Sequence, residues 1–414
     1  MKKTMLALAL LSVATAARAE NGVLPMAGKP EDVGLSSAQL KRIEEMTQKH
    51  VDSGLVPGAV MLVARRGKIA WVSTLGKRDA ATGDAMKPDA IFRIYSMTKP
   101  IVSVAVMQMV EEGKLQVSDP VSRFIPEIGK MKVGTEKMVD GRVALQLSDP
   151  ERAMTVQDLL RHTSGLTYGT RGSSLVNQSY VEAKIGDRGM SNEEFVAKLS
   201  TLALKFSPGT RWEYGVSTDV LGRLVEVVDG KKLGDALSAR IFKPLGMVDT
   251  GFQVPADKLS RAAQPGPRPG GQPMTPRFAV NDGAKYESGG GGLTSTMDDY
   301  LRFTTMLANG GALSDTRLLG RQTLAFMTAD HTGNRPGRPP GLGFGLGFEV
   351  RTRVGDAALP GSLGEYGWAG NAGTLFWVDP KEQLFAIYMV QVSDPDRIAL
   401  RNQFRSMVQA AIIE

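Results

Sequence analysis

Apolar residues recur at helical spacing over residues 36–51, where Leu40, Ile43, Met46 and Val51 share a side and predict an amphipathic helix. Two apolar, β-branched runs follow, residues 58–64 and 68–73. They flank Arg66-Gly67 and predict a hairpin. Over residues 95–112 the pattern changes. Residues 101–110 are apolar on nearly every side, so this predicted helix has to be buried all round, and Gly113 is placed to end it. Residues 114–250 read as mainly helical, with helices over 155–161, 191–202 and 217–229. Two Pro/Gly-rich stretches, 265–276 and 333–347, read as surface loops, and a helix over 297–308 between them is capped by Thr296 or Ser295. The chain ends on strand-like runs at 345–352, 374–378 and 385–392 and a helix over 398–413.

Strands and helices at both ends around a helical middle predict an α+β protein of two lobes. Residues 20–113 and 251–414 form the lobe with the sheet, and residues 114–250 the helical one. The first 19 residues stand apart. Lys2-Lys3, an apolar core over residues 5–14 and Ala17-Arg18-Ala19 have the form of an export signal cleaved before Glu20, so a periplasmic or secreted protein is expected. Cleavage would remove Lys2, Lys3 and Arg18 and no acid, lowering the net charge from +7 to +4. A charge that mild, without a basic run interleaved with aromatics, gives no reason to expect nucleic acid as a partner. No later run of 18 apolar residues predicts a membrane span.

The chain has no cysteine, which removes disulfides, thiolate nucleophiles and cysteine-ligated metals. Its three histidines, His50, His162 and His331, are widely spaced, which disfavours a metal site or a Ser-His-Asp triad. No phosphate loop or dinucleotide-binding context is present, and no cofactor is implied. The Gly289–Gly292 run reads as a flexible lead into the 297–308 helix.

Ser96-Met97-Thr98-Lys99 is the focal point, the single Ser-x-x-Lys of the chain. Spacing of three puts both side chains on one side of the first helical turn. Burial in a core is expected to lower the Lys99 pKa, so that a neutral amine takes the Ser96 proton. The bare spacing arises about once by chance in a chain this long, and its weight comes from the all-apolar helix behind it. Tyr214, in a turn before the 217–229 helix, suits proton transfer beside a lysine. Taken alone it reads as packing or capping. The run Gly367-Trp368-Ala369-Gly370-Asn371-Ala372-Gly373 precedes a strand, where small residues let backbone approach a ligand, and taken alone it reads as a hairpin turn.

Together these segments resemble the serine β-lactamase-related superfamily, in particular its class C-like branch, with D-Ala-D-Ala carboxypeptidases and family VIII carboxylesterases. The resemblance runs over nearly the whole chain after the leader. It is carried by Phe92-Arg93-Ile94-Tyr95-Ser96-Met97-Thr98-Lys99, Leu159-Leu160-Arg161-His162-Thr163-Ser164-Gly165-Leu166, Phe242-Lys243-Pro244-Leu245-Gly246-Met247 and Gly291-Gly292-Leu293-Thr294-Ser295-Thr296. It implies a penicillin-binding-protein-like fold, an antiparallel sheet flanked by helices. It also implies an acylated Ser96, Lys99 and Tyr214 as proton-transfer partners, and an oxyanion hole from the N–H groups of Ser96 and Asn371. Which of Lys99 and Tyr214 takes the first proton stays open.

Two departures bear on the substrate. Val216 stands where class C β-lactamases carry the asparagine of Tyr-x-Asn, and Trp368-Ala369-Gly370 replaces Lys-Thr-Gly. His331-Thr332-Gly333 resembles an alternative form of the latter but opens the second Pro/Gly-rich stretch, and reads as a decoy. An apolar Trp368 and Val216 predict a carboxylesterase acting on small-molecule, short acyl esters without a charged group, with weak β-lactam hydrolysis beside it. The competing expectations are a β-lactamase or D-Ala-D-Ala peptidase, and an inert ligand-binding member. The stretch 167–188 is expected to overhang the site as a lid or wall.

Overall fold

The computed structural model describes residues 23–266, 276–392 and 396–414. The predicted leader and most of the first Pro/Gly-rich stretch lie outside these residues. Eight strands build the main sheet: β1 (Gly58–Arg65), β2 (Lys68–Asp79), β3 (Asp84–Ala85), β4 (Leu342–Phe344), β5 (Glu349–Arg351), β6 (Tyr366–Ala369), β7 (Leu375–Asp379) and β8 (Leu384–Val390). Their order across the sheet is β4-β5-β6-β7-β8-β1-β2-β3, with every neighbouring pair antiparallel. The sheet thus takes strands from both ends of the chain, joined where Ala59 faces Val390 and Arg65 faces Leu384.

Every residue of β1 is buried, because both sides of the sheet are covered. Val60, Leu62 and Ala64 point into one core, shared with the helix Thr98–Glu111. Ala59, Met61 and Val63 point into another, beneath the helices Ser37–Asp52 and Asp396–Ala410. The residues of Thr98–Glu111 are buried without a break from Thr98 to Met109, and Gly113, at φ +70°, takes the left-handed turn that ends it. An all-apolar sequence therefore makes a central helix, as its pattern predicts. The predicted helices over 36–51, 155–161, 191–202, 217–229, 297–308 and 398–413 appear as Ser37–Asp52, Val156–Leu160, Asn192–Leu199, Ser217–Asp229, Met297–Ala308 and Asp396–Ala410, and Thr296 caps the fifth.

Three local predictions need correction. The middle of the chain is not only helical: Val133–Val139 and Arg142–Ser148 pair as a hairpin. Its turn is Asp140-Gly141, both at positive φ, which is the backbone such hairpins favour. The second Pro/Gly-rich stretch is not all surface loop. Its end forms β4, and Phe344 and Leu346 are fully buried. The run Gly367-Trp368-Ala369 is itself part of β6 rather than a turn before a strand. Among the described residues no helix is long and apolar enough to cross a membrane.

Candidate active site

Ser96 stands at the mouth of the central helix on a short 3₁₀ turn, Tyr95–Met97. Its surroundings fix it from three sides. Phe92 and Arg93 pair with Ser295 and Thr294, the Gln391 amide donates to the Arg93 carbonyl at 3.1 Å, and the Tyr300 hydroxyl donates to the Met97 carbonyl at 3.0 Å. Tyr95 is held at φ +44°, a conformation costly for a side chain of its size. Its neighbours compensate: the ring packs edge-on against Phe278 at 5.3 Å and the hydroxyl accepts from the Arg277 N–H at 3.3 Å.

Lys99 is 1% exposed. Its ammonium donates to the Gly290 carbonyl at 2.5 Å, the Tyr168 hydroxyl at 3.1 Å and Ser96 Oγ at 3.4 Å, which uses all three of its protons. It also lies 4.6 Å from the centre of the Tyr214 ring. Burial opposes the charge, but the Tyr168 and Tyr214 phenols and the Asp219 carboxylate outweigh it and raise the pKa above its usual 10.5. This overturns the expected neutral amine. Desolvation acts as predicted, yet the acceptors around the nitrogen decide the direction, which favours the ammonium.

The Gly289–Gly292 run is correspondingly no flexible lead. Asp219, 3% exposed, accepts from the Gly290 N–H at 3.0 Å, the Tyr286 hydroxyl at 2.9 Å and Ser288 Oγ at 2.5 Å, and so aims the Gly290 carbonyl at Lys99. A Cβ on Gly290 would run into the Asp219 carboxylate. Gly290→Ala is expected to swing that carbonyl away and to lower activity about 10- to 100-fold, the worth of one hydrogen bond to a charged group, with the fold retained by circular dichroism. Unchanged turnover of a Ser96-dependent substrate would remove Gly290 from the site.

Tyr214 is carried by a segment laced to the 162–167 turn. The Glu213 N–H donates to the His162 carbonyl at 2.9 Å, the Glu213 carboxylate accepts from Thr167 Oγ1 at 2.8 Å, and Ser164 and Ser217 hydroxyls meet at 2.8 Å. His162, at φ +57° and 1% exposed, packs its ring 5.0 Å from that of Tyr214. Burial first, then the Lys99 charge, hold the His162 pKa well below the usual histidine range, so it is a neutral packing partner. Tyr168, which also reaches Lys99, comes from the 167–188 stretch and is raised by burial above the usual phenol range. It escapes sequence reasoning, because nothing local separates it from any other tyrosine in a loop.

Ser96, Tyr214, Trp368, Ala369, Gly370 and Asn371 line one cavity of about 650 Å³. Gly370 permits this convergence. Its Cα lies against the Ile94 carbonyl and Thr374 where no Cβ fits, which draws the Asn371 turn toward Ser96. Trp368 packs edge-on against Tyr214 at 5.4 Å and Phe344 at 5.1 Å. Val216 is elsewhere: it precedes the helix Ser217–Asp229, is 5% exposed and belongs to the core rather than the cavity wall. His331 lies outside the wall as well, with Nδ1 3.1 Å from the Gln157 amide. Apolar surface prevails in the wall as expected, yet six arginines and two glutamates also line it among the described residues. Among those residues no group of His, Asp and Glu is arranged to hold a metal ion.

Comparison with known proteins agrees with this architecture. Esterase EstB of Burkholderia gladioli is 31% identical over 400 residues, covering 90% of this chain and 97% of its own. Protein Rv1367c of Mycobacterium tuberculosis is 36% identical over 365 residues, covering 82% and 87%. The solved structure of EstCE1, a hydrolase with promiscuous acyltransferase activity, superposes with a TM-score of 0.76 at 24% identity, covering 91% of this chain and 99% of its own. A penicillin-binding protein homologue from Caulobacter crescentus shares the fold at a TM-score of 0.68 and 20% identity, covering 91% and 99%. The sequence model of the beta-lactamase family matches residues 43–408, which include every part of the site just described, and the chain belongs to that family.

Proposed function

We propose that the protein is a serine carboxylesterase working through an acyl-enzyme on Ser96. The observation that carries this is the Lys99 ammonium, 3.4 Å from Ser96 Oγ and 4.6 Å from the Tyr214 ring, on the cavity that Ser96 and Tyr214 share. An ammonium has no lone pair and cannot accept the serine proton, so Tyr214 is the base. Entering as the phenolate, it takes the Ser96 proton as Oγ attacks the ester carbonyl, and the resulting phenol passes that proton to the departing alkoxide. Lys99 stabilises the negative charge moving between the two oxygens. The N–H groups of Ser96 and Asn371 hold the oxyanion, and water then repeats the steps in reverse. Trp368, at the position of the β-lactamase lysine, supports esters over β-lactams, and the relationship to an esterase over nearly the full chain supports the same choice.

The test compares kcat/KM for p-nitrophenyl butyrate and nitrocefin, with Ser96→Ala as the blank. Ester turnover at least tenfold above nitrocefin is expected, with both lost in Ser96→Ala. Nitrocefin equal or faster would favour the β-lactamase reading, and full ester turnover by Ser96→Ala would remove the nucleophile.

A further inference from the structure

We propose, resting on the ester reading, that the natural ester carries a carboxylate, held by arginines of the cavity wall. Trp212 and Tyr214 stack almost parallel, 12° apart with ring centres 6.2 Å apart. Two guanidiniums bracket the pair, Arg338 at 4.5 Å from the Trp212 ring and Arg171 at 5.3 Å from the Tyr214 ring. Arg171 is exposed, comes from the overhanging 167–188 stretch, and has no carboxylate partner among the described residues. It lies over the face of the proton-transfer tyrosine, where it meets whatever enters.

The rest of the wall has the same imbalance. Glu365 accepts from both Arg351 and Arg405, while Arg338 pairs with Glu349 at 2.5 Å. Three guanidiniums thus share two carboxylates, and Arg171 adds a fourth positive charge with none. That count leaves out Arg397 and Arg401, which line the same wall and have contacts of their own. Arginine does not shed its proton on burial, so the excess positive charge persists at any working pH. A neutral acyl ester leaves it uncompensated in a partly desolvated cavity. A carboxylate offsets it, and the planar guanidinium fork suits that group. The acid-bearing class replaces the uncharged esters that Trp368 and Val216 alone suggest.

The decisive comparison uses two esters with the same five-carbon acyl chain, the mono-4-nitrophenyl ester of glutaric acid and 4-nitrophenyl pentanoate. At low salt the acid ester is expected to have a kcat/KM about tenfold higher, with the advantage shrinking as salt rises. Arg171→Gln and Arg338→Gln are each expected to lower the acid-to-neutral ratio several-fold. A wild-type ratio of one or less, or variants that lower both esters in parallel, would overturn the carboxylate site and leave the esterase reading standing. If neither ester is cleaved, the esterase reading fails and binding decides. Calorimetric titration of Ser96→Ala with glutarate then supports the site if affinity is salt-sensitive and weakened by Arg171→Gln, and overturns it if no binding is seen.

Discussion

Lys99→Met lowers kcat/KM for an ester substrate by about a thousandfold or more, on the scale set when a buried charge aimed at a reacting centre is removed. Methionine keeps the length and apolar stem of lysine, so the central helix stays packed and the loss is one of charge. What disappears is the link between Ser96 Oγ, Tyr168, Tyr214 and the Gly290 carbonyl, which all converge on one nitrogen. Lys99→Arg keeps the charge, but a guanidinium does not fit a site where lysine is 1% exposed, and a smaller loss of about a hundredfold is expected. The pH profile separates ammonium from amine. With its pKa raised above 10.5, Lys99 adds no inflection between about pH 6 and 9. A rise in kcat/KM near neutral pH that vanishes in Lys99→Met would restore the neutral lysine as base. So would a Lys99→Met enzyme within tenfold of wild type sink the role altogether.

Asp158→Ala costs about 3–5 kcal/mol of stability, the usual penalty for stranding the partners of a buried ion pair. The carboxylate is completely buried and accepts from Arg152 at 2.6 and 2.9 Å, Arg161 at 3.0 Å, Thr163 at 2.8 Å and Thr155 at 2.8 Å. These contacts tie the helix Val156–Leu160 to the turn that holds His162 and, through Glu213, Tyr214. Activity should therefore become heat-sensitive together with the fold. Burial pushes the Asp158 pKa up, but Arg152 and the hydrogen bonds from Thr155 and Thr163 prevail and lower it from 3.8 to about 2. A depressed carboxyl stabilises the fold above its unfolded pKa. The contribution, about 2–3 kcal/mol, is thus whole above pH 4 and lost as pH falls from about 4 to about 2. Urea unfolding of wild type and Asp158→Asn across that window measures it. A penalty under about 1 kcal/mol for Asp158→Ala would show that the surrounding hydrogen bonds hold the turn without it.

Much of the scaffold is legible because its signals are local. The apolar, β-branched runs at 58–64 and 68–73 and the nearly all-apolar 101–110 run state their own secondary structure, and Thr296 marks the start of its helix. The Asp140-Gly141 hairpin was equally legible, with a turn pair between alternating runs, and only the helical character of its surroundings hides it. Phe344 is different. It lies in a Gly/Pro-rich stretch with no strand pattern, and it becomes a three-residue edge strand only because β5 is there to pair with it. The same holds for β6 and the residue after it, where Gly367 and Gly370 look like turn formers. They are small because Trp377 and Ile94 press against them from other parts of the chain.

By itself, the sequence determined the candidate pair and the rigid element that carries it: Ser96 and Lys99 one turn apart on a helix too apolar to be anywhere but the centre. It also determined which segments belong together, since order and spacing are properties of the chain. Tertiary structure decided the direction in which the Lys99 pKa moves, because the Gly290 carbonyl and Tyr168 reach it from 191 and 69 residues away. It decided the place of Val216, turned into the core by the start of its helix, and the character of the cavity, where Arg171 meets arginines from β5 and the final helix. The physical reason is common to all three. Residue type and spacing act along the chain, whereas electrostatics and burial act through space, and the distances that set them exist only once the chain has closed on itself.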